Sequence, residues 1–246
     1  MDLQTEIVYG PVHSRRLGRS LGVNLAPAGC KACNFNCAYC QYGWTKFPVP
    51  RDWPRPSDVI QAVDEALART PDVDYLTVAG NGEPTLHPGF APIAEGLFHV
   101  RARRAPDVKL ALLSNGSTLD RLDVRYSLAR FDERSMKLDA GDATTFRLMN
   151  ASSVPLDRLL SNLRSVGHLT LQSIFVQDSE GVIDNTAPRA TEAWLEALRR
   201  VNPRRVDLYT VARSTARPSL RKVGPSTLEK IAARVTALGI PARVFA

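Results

Sequence analysis

Apolar and polar positions along the chain alternate between two rhythms. Short apolar runs at Ser20–Leu25, Tyr75–Ala79, Val108–Leu113, Ser135–Asp139, Leu169–Val176 and Val206–Val211 predict strands. The last five begin 33, 27, 34 and 37 residues apart. A strand, a crossover helix and the return to a parallel strand need roughly 30. The gaps carry helical periodicity. Ser57, after Pro56, is placed to cap a helix whose Val59, Ile60, Val63, Ala66 and Leu67 share one face, and Thr70-Pro71 ends it. Leu119–Ala129, Pro155–Val166, Arg189–Val201 and Pro225–Leu238 behave similarly. Gly239 and Pro241 close the last of these, and Ala242–Phe245 predicts a short final strand.

Strands alternating with helices in this way predict an α/β protein, a parallel sheet with helices packed outside. Ligands in such proteins bind at the carboxyl ends of the strands, so a motif that directly follows a strand gains weight. No repeat or low-complexity tract interrupts the pattern, and residues 1–246 read as one domain. No apolar run approaches the roughly 18 residues of a membrane span. The polar stretch Met1–Glu6 lacks the basic and apolar regions of a secretory signal. A cytoplasmic location without a membrane partner is therefore expected.

Composition adds little until charge is considered. With 44% hydrophobic and 23% charged residues the chain is neither disordered nor fibrous. Its 32 Lys and Arg against 25 Asp and Glu give a net charge of +7, which favours anionic partners such as RNA. Much of that charge is scattered, as in Arg101, Arg103 and Arg104 or Arg199, Arg200, Arg204 and Arg205. Solvated helix faces have the same pattern.

The four cysteines are more informative. Cys30, Cys33, Cys37 and Cys40 are the only ones, and they follow the first predicted strand within eleven residues. A disulfide scaffold would spread its bridges to close long loops. This packing points to a metal or redox site in a reducing compartment. The order C-x2-C-x3-C-x2-C, followed by Gln41, is not the ferredoxin run, which is C-x2-C-x2-C-x3-C before proline. Zinc sites usually take their cysteine pairs from two separate knuckles. A closed four-cysteine site, holding a metal or an electron-transfer cluster, remains open at this point.

Leaving out Cys30 gives C-x3-C-x2-C with an aromatic, Tyr39, before the last cysteine. This resembles the radical SAM superfamily. The resemblance implies a [4Fe–4S] cluster held by Cys33, Cys37 and Cys40, with a fourth iron that chelates the amino and carboxylate groups of S-adenosylmethionine (SAM). Residues 27–45 would form the cluster-binding loop and residues 1–19 a lead-in, with Tyr39 contributing to the adenine site. The implied fold is a partial (β/α)6 TIM-like barrel of parallel strands with outer helices. The implied chemistry is reductive cleavage of SAM to a 5′-deoxyadenosyl radical that abstracts hydrogen from a substrate. A one-electron reductant of flavodoxin or ferredoxin type would feed it. The stretch from Gly10 to Gly22, together with Cys40-Gln41-Tyr42-Gly43 and Leu138-Asp139-Ala140, resembles small iron–sulfur oxidoreductases related to wyosine-type tRNA enzymes.

Other motifs fall after predicted strands. Gly80-Asn81-Gly82-Glu83-Pro84 looks like the family's Gly-Gly-Glu segment, with Asn81 where the first glycine often stands. The resemblance gives Glu83 the SAM ammonium, with Gly82 allowing close backbone approach. Ser114-Asn115-Gly116 is similar to polar segments lining the SAM site, although a plain turn has the same composition. Strand alternation puts Lys137 and Asp139 on one face. They would meet a SAM carboxylate and a ribose hydroxyl, or pair with each other. Gln172, Thr210 and Arg213 are weaker candidates for ligand contact. Arg15, Arg16 and Arg19 either cap the site and hold an anion or form a solvated basic turn. His13, His87, His99 and His168 have no ligand spacing, and His87 reads as structural.

Three assigned cysteines leave only Cys30, too few for a second cluster. That disfavours methylthiolation, sulfur insertion and a wyosine-type mechanism with an extra cluster. RNA modification, activation of a protein by glycyl radical formation, and small-molecule rearrangement remain. The basic charge tips the balance toward RNA or another anionic macromolecule.

Overall fold

The computed structural model describes residues 2–45 and 52–246. β1 (Val8–Ser14) and β2 (Gly18–Val23) form an antiparallel hairpin, Val8 opposite Val23 and Ser14 opposite Gly18. From β2 the sheet runs parallel through β3 (Tyr75–Val78), β4 (Lys109–Ser114), β5 (Glu133–Lys137), β6 (Thr170–Asp178) and β7 (Arg205–Thr210). β8 (Leu220–Lys222) lies antiparallel on the far half of β6, and β9 (Ala242–Phe245) extends the parallel run beside β7. From β1 to β7 sequential strands are spatial neighbours, so each crossover returns beside the strand it left, and the sheet curls into a partial TIM-like barrel.

The helices α1 (Pro56–Arg69), α2 (Phe90–Arg104), α3 (Leu122–Ser127), α4 (Ala143–Asn150), α5 (Leu156–Val166), α6 (Pro188–Val201) and α7 (Pro225–Thr236) follow the parallel strands. Their apolar faces, including Val63, Leu97, Leu163, Leu198 and Val235, pack on Leu76, Leu110, Leu112, Leu171 and Leu208 of the strands. The opposite, inward face of the sheet is polar. Ser20 and Thr77 share a 2.7 Å hydrogen bond, and Lys137 stands beside Gln172 in the β5–β6 register. A packed outer core thus leaves polar groups to line the inside of the curl.

All seven predicted strands are present. The 1–19 lead-in turns out to be part of the sheet, because β1 runs through it. Pro11 obscures that strand in the sequence, and it is tolerated because β1 is the edge, with a register shift between Tyr9 and Val12. Helix α1 starts one residue before Ser57, with Arg55 at the cap and Pro56 in the first turn. Proline there forfeits no intrahelical bond. Helix α7 ends at Thr236, and Gly239, at φ +79°, donates its N–H back to the Thr236 carbonyl.

Candidate active site

The cysteine loop leaves β2 and is fastened on two sides. On one, the Ala32 N–H donates to the Asn81 carbonyl and the Glu83 N–H donates to the Ala32 carbonyl, each at 2.8 Å. On the other, the N–H groups of Asn36 and Ala38 donate to the carbonyls of Asn150 and Met149, at 2.8 and 2.9 Å, where α4 ends. Ala38 also packs with Met149, Ile174 and Val176 in a small apolar cluster beneath the loop. Gly82 is required by the first seam. Its φ is +143°, and a Cβ there would sit 1.9 Å from the Ala32 carbonyl oxygen. The backbone that approaches Gly82 is therefore that of the cysteine loop.

Asn81, in the place of the family's first glycine, turns its side chain away from the loop. It exchanges two 2.8 Å hydrogen bonds with the Gln4 backbone, and its own N–H donates to Asn24 Oδ1 at 3.0 Å. It is fully buried. The residue clamps the N-terminal segment against the turn after β3.

Glu83 is buried and joins the ends of two strands. Its Oε1 accepts from the Thr85 N–H at 3.1 Å, the Thr85 hydroxyl at 2.5 Å and the Ser114 hydroxyl at 2.7 Å. Its Oε2 accepts from the Asn115 N–H at 2.6 Å. Burial pushes the carboxyl pKa up, and these hydrogen bonds pull part of the way back. The Asn115 amide donates to Asn34 Oδ1 at 2.9 Å, which ties the turn after β4 to the cysteine loop.

Asp139 sits just past β5 with its carboxylate completely buried. Its Oδ1 takes the Lys137 ammonium at 3.0 Å and the Ile174 N–H at 2.9 Å. Its Oδ2 takes the Tyr39 hydroxyl and, at 2.9 Å, the Asn150 amide. The Lys137 ammonium lies between the rings of Tyr39 and Tyr209, 4.6 and 4.7 Å from their centroids, and donates to the Tyr209 hydroxyl. Burial opposes that charge, but Asp139 and Tyr209 outweigh it and hold the lysine pKa above its ordinary value.

One cavity of about 540 Å³ opens inside the curl. Cys33, Cys37, Cys40, Tyr39, Gly82, Glu83, Ser114, Asn115 and Lys137 all line it, as do Arg15, Arg16, Gln172, Thr210 and Arg213. Cys30, Arg19 and Asp139 do not. Arg19 pairs with Asp72 at 2.9 Å outside the cavity. His87 is buried behind the cavity wall, bonded to the Pro54 carbonyl at 2.9 Å.

Two of the three thiols have hydrogen-bond donors close by. The Phe35 N–H approaches Cys33 Sγ and the Asn150 amide approaches Cys37 Sγ, both at 3.4 Å. Donors of this kind stabilise negative sulfur in iron–sulfur sites. Burial pushes the Cys37 thiol up to about 11, against the hydrogen bonds from Tyr39 and Asn150, and burial raises Cys33 as well. Among the described residues no three His, Cys, Asp or Glu side chains close on a single-ion site. The three thiols instead share a cavity wide enough for a larger group.

Comparison with known proteins settles the family. The radical SAM superfamily matches residues 30–202.

The chain belongs to the radical SAM superfamily.

Members use a [4Fe–4S] cluster and SAM, and the C-x3-C-x2-C run from Cys33 to Cys40 fits that use. The chain is 33% identical over 239 residues to a UPF0026 protein of Methanocaldococcus jannaschii, covering 92% of this chain and 68% of that one. It is 29% identical over 238 residues to a protein named GTPase Obg from Brachyspira hyodysenteriae, where it covers 93% of this chain but only 33% of that one. In fold it is similar to a radical SAM methyltransferase from Sphaerobacter thermophilus, with a TM-score of 0.68 at 16% identity. That match covers 92% of this chain and 65% of the methyltransferase. No helix among the described residues is long and apolar enough to cross a membrane.

The contacts around the cavity also involve residues that carry no signal of their own in the sequence. Asn150 contacts Cys37, Tyr39 and Asp139 at once. Its helix, α4, lies in a stretch with no distinct predicted element, and it meets the loop only through tertiary packing. Thr85 and Tyr209 enter in the same way, as partners of Glu83 and Lys137.

Proposed function

We propose that Cys33, Cys37 and Cys40 hold the [4Fe–4S] cluster with one iron left to SAM, and that the enzyme abstracts hydrogen from a substrate seated in the same cavity. Three thiols and the polar groups at the strand ends face one cavity while Cys30 lies outside it, and that arrangement carries the proposal. When bound, the cluster and SAM supply a 5′-deoxyadenosyl radical by one-electron cleavage of the sulfonium carbon–sulfur bond.

The protein groups divide the binding work. A carboxylate has about four acceptor positions and an ammonium three donors. Among the described residues Glu83 Oε2 receives the Asn115 N–H alone, so its second position is assigned to the SAM ammonium. Lys137 gives donors to Asp139 and Tyr209, and its third is assigned to the SAM carboxylate. Asp139 has four donors already and no cavity surface. We assign it to positioning Tyr39 and Lys137 in place of binding a ribose hydroxyl. Tyr39 presents its ring to the cavity as part of the adenine site. Electrons enter from a separate one-electron donor of flavodoxin or ferredoxin type, since Cys30 alone is left beyond the three ligands.

Anaerobic reconstitution with iron and sulfide, then dithionite and SAM, should release 5′-deoxyadenosine and methionine, measured by mass spectrometry. Iron retained without SAM cleavage refutes the proposal. RNA is a second reading of the substrate, and the net charge of +7 is what favours it. The structure reduces that support. Arg103 and Arg104 both hold Asp64, Arg204 and Arg205 both hold Glu133, and Arg199 and Arg200 hold Glu196 and Asp157.

A further inference from the structure

Arg16 lines the cavity and has no part in the cofactor assignments proposed above. Arg16 leaves the turn between β1 and β2 and crosses the inside of the curl to β6 and β7. One guanidinium nitrogen donates to Gln172 Oε1, and the group lies over the Tyr209 ring, 4.6 Å from its centroid. Gln172 is itself fixed, because its amide donates to the Ser135 carbonyl at 3.2 Å and so presents its oxygen to Arg16. Among the described residues no carboxylate lies within 4.0 Å of the Arg16 guanidinium, whereas Lys137, a second cation over the Tyr209 ring, is paired with Asp139.

We propose that Arg16 is the substrate anchor of this cavity and that the substrate carries an oxyanion group, a carboxylate or a phosphate, that the guanidinium grips. A guanidinium has five N–H donors in a rigid fork that matches two oxygens of such a group. Gln172 uses one of them. Tyr209 lies under the group, and both side chains line the cavity. A half-buried charge in these surroundings costs desolvation without a carboxylate in return, and an anionic substrate would supply the missing counter-charge. The cavity favours such a substrate overall. Among the described residues Arg15, Arg16, Lys31 and Arg213 line it together with Lys137, which Asp139 already pairs, against one lining carboxylate, Glu83. Arg16 precedes β2 while the cysteine loop follows it, so the anchor and the cluster ligands approach the cavity from opposite ends of that strand. A substrate held at one end by its charge would extend toward the other.

The proposal rests on the cavity being the active site, and its test can fail separately. Reconstituted enzyme saturated with SAM is titrated with inorganic phosphate and, in parallel, with acetate, following heat of binding and thermal stabilisation. Saturation keeps the SAM carboxylate on its own partners, and iron and sulfide content verifies each variant. The wild type should bind one of the two anions, and which one tells phosphate from carboxylate substrates. Arg16→Gln should weaken that binding at least about tenfold, the range for loss of charge-assisted hydrogen bonds. Arg16→Lys should restore only part of it. Gln172→Glu, which offers Arg16 an internal carboxylate, should abolish the binding with the arginine still in place, and it serves if Arg16→Gln fails to fold. The proposal is overturned if neither anion binds the SAM-loaded wild type, or if Arg16→Gln and Gln172→Glu bind as the wild type does. It is also overturned if Arg16→Gln lowers SAM affinity instead, which would make Arg16 part of the SAM site. Absence of SAM cleavage in the wild type would remove the proposed chemistry but leave the anion titration to be judged separately.

Discussion

Replacing Gly82 by alanine should detach the cysteine loop from the turn after β3. The added Cβ would lie 1.9 Å from the Ala32 carbonyl oxygen and 2.4 Å from its carbon, and both are backbone atoms that no rotamer change can move. The two hydrogen bonds of that seam, from the Ala32 N–H to the Asn81 carbonyl and from the Glu83 N–H to the Ala32 carbonyl, must then open. Each is worth about 1 kcal/mol net. The φ of +143° adds about 1–3 kcal/mol for a residue with a side chain. The expected loss is about 3–5 kcal/mol, or roughly 6–20 °C in melting temperature for a chain of this size. Iron bound after anaerobic reconstitution should fall with it, because Cys33 directly follows Ala32. Gly167→Ala is the control. Gly167, at φ +63° and ψ 170°, also has a backbone that side chains rarely adopt, but nothing lies within 4 Å of the added Cβ, so it should lose only that backbone strain, about 1–3 kcal/mol, and keep its iron. Thermal unfolding and iron analysis of the two variants together decide the point. If Gly82→Ala melts and loads like Gly167→Ala, the seam does not hold the loop.

The other expectations are briefer. Cys30→Ala should keep its cluster by iron analysis and Mössbauer spectroscopy, whereas Cys37→Ala should lose it; loss in both would indicate a closed four-cysteine site. Glu83→Gln should weaken SAM binding while iron content stays near wild type, and unchanged affinity would remove Glu83 from the SAM site. Burial pushes the Glu133 carboxyl up, but Thr170, Arg205 and Arg204 outweigh it and leave the pKa below the ordinary value. Its stabilising contribution is therefore full above the unfolded glutamate value of about 4.3 and fades as pH falls through the lower folded one. Glu133→Gln should lower stability at neutral pH and flatten the acid limb of the pH–stability curve. If RNA is the substrate, tRNA affinity should drop steeply with salt, and neutralising Arg15 and Arg16 should flatten the slope by about 0.7 per lost contact on single strands; salt-insensitive binding would exclude it.

The sequence by itself determined the α/β class, the parallel strands and the cysteine motif. Those features are local. Strand and helix periods repeat within a dozen residues, and C-x3-C-x2-C sets the reach of three thiols along one loop. It also placed Glu83, Ser114 and Lys137 at strand ends, which in a parallel sheet converge on one rim. Whether a side chain at that rim faces a ligand or a neighbour depends on partners distant in the chain, and only the tertiary structure decided it. Asp139 turned inward because Tyr39, Asn150, Lys137 and Ile174 saturate its carboxylate. Gly82 proved to make room for the Ala32 backbone. The three basic residues of the first hairpin had one local signature and three fates. Arg19 pairs with Asp72 outside the cavity, Arg15 lines the cavity and reaches the Ala246 carbonyl at 2.7 Å, and Arg16 lines it and donates to Gln172. A run of arginines specifies charge, but where each charge comes to rest is fixed by the acceptors that the fold brings within reach.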